Sequence, residues 1–192
     1  MISCILLAAG ESRRFGSPKA LVKINGQTII STLQQLLLDC SLDEIIVVLG
    51  SHFESIEPHV FNHTKVRIVY NKDHKLGQSS SFQAGIVASS ENTEGFMLFP
   101  VDYPWISAGA VAQVRKNFLQ NHPAVLVPVF EGHRGHPPIF NAALKHEILS
   151  LPPEHGVNEL FSRYPPAFLE VNDPGIIKTF NTLQELEALQ KS

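Results

Sequence analysis

Residues 1–19 have the sequence MISCILLAAGESRRFGSPK, in which an apolar segment runs directly into a loop of small, hydroxyl and basic residues. The apolar part predicts a buried first strand over residues 1–7, followed by a loop over residues 8–19. Small residues allow a backbone to approach a ligand closely. Backbone N–H groups, two arginines and a lysine can then donate hydrogen bonds to phosphate oxygens. The segment therefore predicts a binding loop for a nucleoside polyphosphate.

Apolar runs alternate with amphipathic stretches along the rest of the chain. Strands are predicted at residues 45–49, 65–70, 95–99, 124–130 and 138–140. Helices are predicted at residues 29–38, 51–60, 79–90, 107–119, 142–149, 157–164 and 183–190, with serines as caps at several starts. This alternation predicts an α/β protein with a three-layer, Rossmann-like, mostly parallel sheet and helices on both faces. We expect a single domain over residues 1–192, because no linker or repeat divides the chain.

Composition excludes several classes of protein. The net charge of −3 argues against a general nucleic-acid binder. No apolar run is long enough to span a bilayer, so we expect no membrane partner. The first strand lacks the basic residues that precede the core of a signal peptide. Cys4 and Cys40 are too few for a disulfide framework or a zinc site, which favours buried thiols in a reducing cytoplasm.

The pattern Leu-Ala-Ala-Gly-x-Ser-x-Arg-x-Gly-x-x-Lys over residues 7–19 resembles the signature of the nucleotidyltransferases with a MobA-like fold. The resemblance implies a sheet of the nucleotide-diphospho-sugar transferase type. It also implies transfer of a nucleoside monophosphate from an NTP to a phosphorylated acceptor, with release of pyrophosphate. Lys19 and Arg14 would be catalytic, because cations stabilise the charge that builds on the phosphate oxygens. The resemblance assigns nucleotide binding to Leu7, Ala8, Ala9, Gly10, Ser12 and Arg13. The alternative is a glycine turn with solvated basic side chains.

Two segments predict oxygen ligands for Mg²⁺, which prefers one or two carboxylates together with phosphate oxygens and water. Asp102, in Asp-Tyr-Pro after the predicted strand 95–99, resembles the metal-binding Asp of the family's D-x-P motif, and we count it among the catalytic residues. Asn181, in Phe-Asn-Thr-Leu near the end of the chain, resembles the ligand position of a second family motif. Asp173, which resembles part of a D-D-P-G stretch of the cytidylyltransferase branch, is a lesser candidate. The alternatives are a turn-forming Asp-x-Pro and a helix cap at Asn181-Thr182.

The segment Gly-Gln-Ser-Ser-Ser, residues 77–81, resembles a family motif near the base and sugar of the nucleotide. The resemblance assigns nucleotide binding to Gln78, Ser79 and Ser80. Serines at a helix start also cap the helix, and the two roles are compatible.

Residues 132–140, GHRGHPPIF, resemble the acceptor-side motif of the MocA-like branch, the CTP:molybdopterin cytidylyltransferases and their relatives. Arg134 could hold a phosphate of the acceptor and His136 could hydrogen-bond it. His133 and His136 are also spaced to share a metal, but no cysteine or carboxylate cluster supports zinc. The other seven histidines are scattered and are assigned no role.

The resemblance as a whole implies a Mg²⁺-dependent cytidylyltransferase that uses CTP and molybdopterin, with a molybdoenzyme or its chaperone as a further partner. The turn Ala8-Ala9-Gly10 favours CTP, because the guanylyltransferase branch typically has Leu-Ala-Gly-Gly. One alternative is a guanylyltransferase or a sugar-phosphate nucleotidyltransferase of the same fold. Another is a non-catalytic, nucleotide-binding accessory protein for a molybdoenzyme, because Leu183 and Gln184 depart from the family motif.

Overall fold

The computed structural model describes residues 1–191, so Ser192, the last residue of the expected domain, lies outside the described residues. The strands and helices in chain order are β1 (Ile2–Ala8), β2 (Lys23–Ile24), β3 (Gln27–Thr28), α1 (Ile29–Asp39), β4 (Glu44–Leu49), α2 (Phe53–Ile56), β5 (Val66–Tyr70), α3 (Gln78–Ala88), β6 (Gly95–Pro100), α4 (Ala108–Asn121), β7 (Val125–Phe130), β8 (His133–Arg134), β9 (Ile139–Asn141), α5 (Lys145–Leu149), β10 (Ala167–Glu170) and α6 (Leu183–Lys191). Short 3₁₀ helices lie at Lys19–Leu21, Glu57–His59, His74–Leu76, Ala142–Leu144, Val157–Ser162 and Pro174–Ile177.

Eight of these strands form one mostly parallel sheet in the order β10-β7-β9-β6-β1-β4-β5, with β8 paired to β7. β1 lies at its centre and pairs in parallel with β4 and β6. β9 is antiparallel to both β6 and β7, which makes the sheet mixed. β2 and β3 form a separate hairpin. The predicted mostly parallel sheet is confirmed.

Helices cover both faces of the sheet, and β1 is therefore buried on both sides, as in other parallel sheets. Leu6 packs in one core with residues of α1 and α4, among them Leu33 and Val114. Ile5 packs in a second core with Phe82 of α3. The alternation of side chains along β1 therefore separates two cores and gives the predicted three layers. No helix within residues 1–191 has the length and apolar character needed to cross a bilayer.

Two of the predicted serine caps are wrong. α4 does begin as predicted, since Ser107 Oγ accepts a hydrogen bond at 3.2 Å from a backbone N–H of the first turn. α2 begins at Phe53 without a side-chain cap, so Ser51 is not its cap. α3 begins after Gly77 and not at a serine of residues 79–81. Gly77 has a φ of 120°, a conformation that glycine adopts without steric cost, and this turn directs the chain into α3.

The shortest elements also differ from the prediction. Residues 157–162 form a 3₁₀ helix where an α-helix was expected over residues 157–164. β2, β3, β8 and β10 were not predicted, because two to four residues are too few to establish a period of two. None of these four strands belongs to the centre of the sheet, β6-β1-β4-β5.

Close packing of α3 on β1 depends on Gly85. A Cβ atom at this position would overlap the side chain of Ile5 in β1. We expect Gly85→Ala to lower the free energy of unfolding by about 1–3 kcal/mol, because overpacking outweighs the gain in helix propensity. Gly109 in α4 is the matched control, since a Cβ there would lie 3.7 Å from its nearest neighbour. Urea denaturation of both variants checks this, and a Gly85→Ala protein as stable as wild type would contradict it.

Candidate active site

A cavity of about 340 Å³ opens at the carboxyl ends of the central strands. Ligands of doubly wound sheets bind at this edge. The cavity wall combines the loop after β1, the start of α3, the segment after β6 and a residue preceding α6. Its walls include these predicted site residues: Leu7, Ala8, Ala9, Gly10, Ser12, Arg13, Arg14, Lys19, Gln78, Asp102 and Asn181.

Other lining residues were not predicted from the sequence. They are Phe15, Pro18, Ala20, Ile56, His74, Gly77, Ser81, Pro100 and Val101. Most are apolar or small residues that are adjacent in sequence to a predicted site residue. His74 is different, because it lies in the 3₁₀ turn between β5 and α3: the stretch 71–81 was expected near the site, but this histidine was assigned no role.

Ser12 holds the loop after β1 in shape. Its φ of 52° lies in the left-handed region, and its carbonyl accepts hydrogen bonds from Phe15 N at 2.9 Å and Gly16 N at 3.0 Å. Ser12 Oγ also accepts from Lys19 N at 3.2 Å, which closes the loop on itself. A Cβ atom on Gly10 would have nothing within 4 Å. The glycine therefore leaves open space in the cavity wall.

Lys19 joins the predicted metal ligands at the charged end of the cavity. Its Nζ donates to Asp102 Oδ2 at 3.2 Å, to Asn181 Oδ1 at 3.1 Å and to Phe180 O at 2.6 Å. Arg14 donates to the same Asn181 oxygen at 3.4 Å. The Lys19 side chain is only 13% exposed and that of Asp102 is 27% exposed. Three oxygen atoms from two segments that are distant in sequence thus converge on one partly buried cation.

This oxygen cluster fits a divalent metal ion. The ammonium group of Lys19 shows that the carboxylate of Asp102 and the amide oxygen of Asn181 can share one cation. Oxygen atoms are the ligands that Mg²⁺ and Mn²⁺ prefer. Within residues 1–191, no group of three or more His, Cys, Asp or Glu side chains could hold a metal by itself. A metal held by Asp102 and Asn181 would take its remaining ligands from water or from a bound phosphate.

Arg13 lies at the mouth of the cavity and is paired to a neighbour in the same loop. Its Nε contacts Glu11 Oε2, and the Arg13 side chain is 80% exposed. This hydrogen bond lowers the pKa of the Glu11 carboxyl below its usual value. Arg13 and Arg14 both line the cavity, and the carboxylate of Glu11 offsets part of the positive charge of Arg13.

Ser79 and Ser80 are buried behind the cavity and do not line it. Ser79 Oγ donates to the carbonyl of His155. Ser80 Oγ lies 2.8 Å from Gly77 O and accepts from Asn71 Nδ2 at 3.0 Å. In this structure Ser80 supports the turn that precedes α3 and Ser79 joins the start of α3 to His155, and their assignment to nucleotide binding stays a prediction.

His136 also lies outside the cavity wall, near the oxygen cluster around Lys19. The centroid of its ring lies 4.4 Å from that of Tyr103, the residue after Asp102, and the two rings are tilted by 46°. Burial lowers the pKa of His136 to about 4, although the charge of Asp102 and the backbone of Leu98 act in the opposite direction. His136 Nδ1 is buried without a hydrogen-bond partner among residues 1–191.

Arg134 is exposed on β8, beyond the end of β7. Its guanidinium carbon lies 5.2 Å from the ring of Phe168 and 5.8 Å from the ring of Phe161. These contacts orient the side chain through cation–π attraction and leave its N–H groups available. Of the predicted acceptor residues, His136 lies near Asp102, whereas Arg134 lies on β8 next to β7 and has no contact with the cavity wall.

Asn181, Thr182 and Asp173, near the end of the chain, make different contacts. Thr182 Oγ1 accepts from Glu185 N at 3.2 Å and caps α6, whereas the Asn181 side chain faces Lys19. Asp173 accepts from Ser107 N at 2.8 Å and Gly175 N at 2.7 Å. Asp173 thus binds backbone N–H groups near the start of α4 and does not line the cavity.

Comparison with known proteins gives relatives with more than one activity. The chain is 33% identical over 135 residues to a probable molybdenum cofactor guanylyltransferase of Bacillus cytotoxicus, covering 69% of this chain and 64% of that relative, less than two thirds of its length. It is 31% identical to the molybdenum cofactor cytidylyltransferase of Escherichia coli, covering 71% and 68%. It is 28% identical to the nicotine blue oxidoreductase of Paenarthrobacter nicotinovorans, covering 90% and 86%.

Solved structures share the fold across the chain. Rv0371c from Mycobacterium tuberculosis superimposes with a TM-score of 0.86 at 22% identity, covering 100% of this chain and 97% of that one. A structure of that protein in complex with manganese gives a TM-score of 0.79. A family model described as the MobA-like NTP transferase domain matches residues 4–167. The chain therefore belongs to the MobA-like NTP transferase family.

Proposed function

We propose that this protein is a divalent-metal-dependent nucleotidyltransferase that transfers CMP from CTP to molybdopterin and releases pyrophosphate. The observation that supports it best is the convergence of Asp102 and Asn181 on Lys19 at the charged end of the cavity. Relatives named as molybdenum cofactor guanylyltransferase and cytidylyltransferase support the class of reaction and the acceptor. The chain is similarly identical in sequence to both relatives, so these comparisons do not decide between CTP and GTP as the donor. Ala9 in the Ala-Ala-Gly turn favours CTP.

In the proposed reaction an oxygen of the acceptor's phosphate forms a bond to the α-phosphorus of the NTP. The bond from that phosphorus to the bridging oxygen breaks, and pyrophosphate leaves. The acceptor phosphate is already anionic, so no general base is needed. Lys19 stabilises the charge on the equatorial oxygens, and Arg13 and Arg14 hold the β- and γ-phosphates. Asp102 and Asn181 would hold Mg²⁺, which neutralises phosphate charge when bound.

The acceptor would extend beyond the cavity, where Arg134 is exposed between two aromatic rings. We expect Arg134→Ala to raise the KM for the acceptor roughly tenfold, because a charge-assisted hydrogen bond is worth about 1.5 kcal/mol or more. The KM for the NTP should not change. Steady-state kinetics with each substrate varied in turn checks this, with Arg163→Ala as the control at another exposed arginine. An equal loss of NTP affinity would place Arg134 at the nucleotide instead.

Pyrophosphate release tests the proposed function. The purified protein is incubated with Mg²⁺, molybdopterin and CTP, GTP, ATP or UTP in turn. Release with CTP supports the proposal in full. Release with GTP alone would show that GTP is the donor and would favour the guanylyltransferase alternative. Binding of an NTP without turnover would favour the non-catalytic accessory protein.

An oxidoreductase is the second candidate, because the nicotine blue oxidoreductase aligns over 90% of this chain. The cation–oxygen cluster of the cavity supports phosphate chemistry instead. The same protein preparation can be tested for reduction of a quinonoid dye by NADH or NADPH. We expect no reduction above the rate without protein. Reduction together with an absence of pyrophosphate release would favour the second candidate.

A further inference from the structure

The cavity has a charged end and a neutral end. The charged end follows β6, where Asp102 lies, whereas the turn 71–77 follows β5. His74 of this turn packs on Gly50, which follows β4 and lies beside Ala9 O. β6, β1 and β4 are successive neighbours in the sheet, so these ends are about two strand spacings apart, or roughly 10 Å. Ile56, His74 and Gln78 line the neutral end. If the triphosphate occupies the charged end, its nucleobase extends toward these side chains.

The ring of His74 has a fixed position at this neutral end. Its Nδ1 lies 3.1 Å from the carbonyl oxygen of Asn71. Asn71 is itself held by hydrogen bonds from its Nδ2 to Ser80 Oγ and Ser81 Oγ, both at 3.0 Å. On the other side, a Cβ atom at Gly50 would lie only 2.7 Å from His74 Cβ. The ring therefore packs against a position that only glycine leaves free.

This contact determines which nitrogen of the neutral ring carries the proton. A carbonyl oxygen can only accept a hydrogen bond, so Nδ1 must be the N–H donor. Nε2 then holds a lone pair. No residue in the described range 1–191 bonds to Nε2, and His74 lines the cavity. The neutral end thus offers a hydrogen-bond acceptor at a fixed place.

We propose that His74 selects nucleobases that bear an exocyclic amino group, by accepting a hydrogen bond from that group at Nε2. The inference rests on the proposed function, and it names the substrate class as amino-bearing nucleoside triphosphates. Cytosine offers a 4-amino group, whereas uracil places a carbonyl oxygen at the same position. A carbonyl would oppose the lone pair of Nε2 and leave both acceptors without a donor, which is costly in a partly buried site.

Calorimetric titration with CTP and UTP in the presence of Mg²⁺ tests the inference. The wild-type protein should bind CTP at least about tenfold more tightly than UTP. GTP and ITP form the equivalent purine pair, because ITP lacks the 2-amino group. His74→Phe should bring the CTP-to-UTP affinity ratio close to one through weaker binding of CTP. His74→Gln, whose Oε1 can accept from the same amino group, should keep a preference for CTP.

His133→Phe is the matched control. His133 Nδ1 also lies 3.0 Å from a backbone carbonyl, that of Glu131, but the residue lies outside the cavity. This variant should keep the wild-type ratio. A wild-type ratio near one, or an unchanged ratio in His74→Phe, would overturn the inference and leave the proposed function standing. Failure of every NTP to bind the wild-type protein would instead overturn both.

Discussion

Lys19→Met is expected to lower the rate of nucleotidyl transfer by about 100- to 1,000-fold, the usual cost of losing one charged donor to a developing oxyanion. Methionine keeps much of the length and apolar character of lysine but lacks the ammonium group. In the structure that group is 13% exposed and contacts Asp102, Asn181 and the carbonyl of Phe180. A partly buried cation is screened less by water and salt than an exposed one.

The measurement for Lys19→Met is single-turnover pyrophosphate release at saturating NTP and acceptor. Lys23→Met, at an exposed position of β2, is the control and should retain wild-type activity. We further expect Lys19→Met to bind Mn²⁺ in the absence of nucleotide at least as tightly as wild type. The reason is that Asp102 and Asn181 no longer share their oxygens with an ammonium group. A rate within threefold of wild type would remove Lys19 from catalysis.

Asp102→Asn is expected to reduce metal-dependent activity by about 100-fold or more, because a neutral amide replaces the one carboxylate of the oxygen cluster. The substitution conserves shape, so the fold should survive. Lys19 keeps its hydrogen bonds to Phe180 O and Asn181 Oδ1, which limits the cost of leaving the ammonium group unpaired. The defect should appear as weaker Mn²⁺ binding in the presence of a non-hydrolysable NTP.

Electron paramagnetic resonance of free Mn²⁺ measures that loss of metal affinity. Asp39→Asn, at the exposed end of α1, is the control, since its carboxylate contacts Gln35 on the same helix and lies outside the cavity. Circular dichroism checks that both variants are folded. Wild-type Mn²⁺ affinity in Asp102→Asn would show that this carboxylate is not a metal ligand.

Much of the site could be predicted from the sequence because its largest part is local. The loop from Leu7 to Lys19 is one continuous segment, and its glycines, serine and basic residues are informative by their spacing. The buried strands β1, β4 and β6 are continuous apolar runs, which identify a parallel sheet. Once the sheet is parallel, the segments after its strands must meet at one edge, and Asp102 follows β6 directly.

The rest depends on contacts between distant residues. Asn181 is 162 positions from Lys19, and only the family resemblance suggested that they act together. His74 was assigned no role because its place is set by contacts with Gly50 and with the carbonyl of Asn71. The pattern of apolar residues along the chain cannot predict such contacts. The prediction that Ser51 caps a helix was wrong, because α2 begins at Phe53 without a side-chain cap. Arg134 was expected near the acceptor, but its position between Phe161 and Phe168 required β10, which is too short to predict.

Transfer of label from an NTP to the acceptor tests the central claim most directly. The protein is incubated with Mg²⁺, molybdopterin and CTP labelled at the α-phosphate, and the products are separated by chromatography. The account predicts that label appears in a nucleotide–acceptor conjugate with the wild-type protein and not with Lys19→Met. CTP labelled at the γ-phosphate should give labelled pyrophosphate only. Label that remains entirely in CTP or CMP, while CTP binds tightly, would contradict the account.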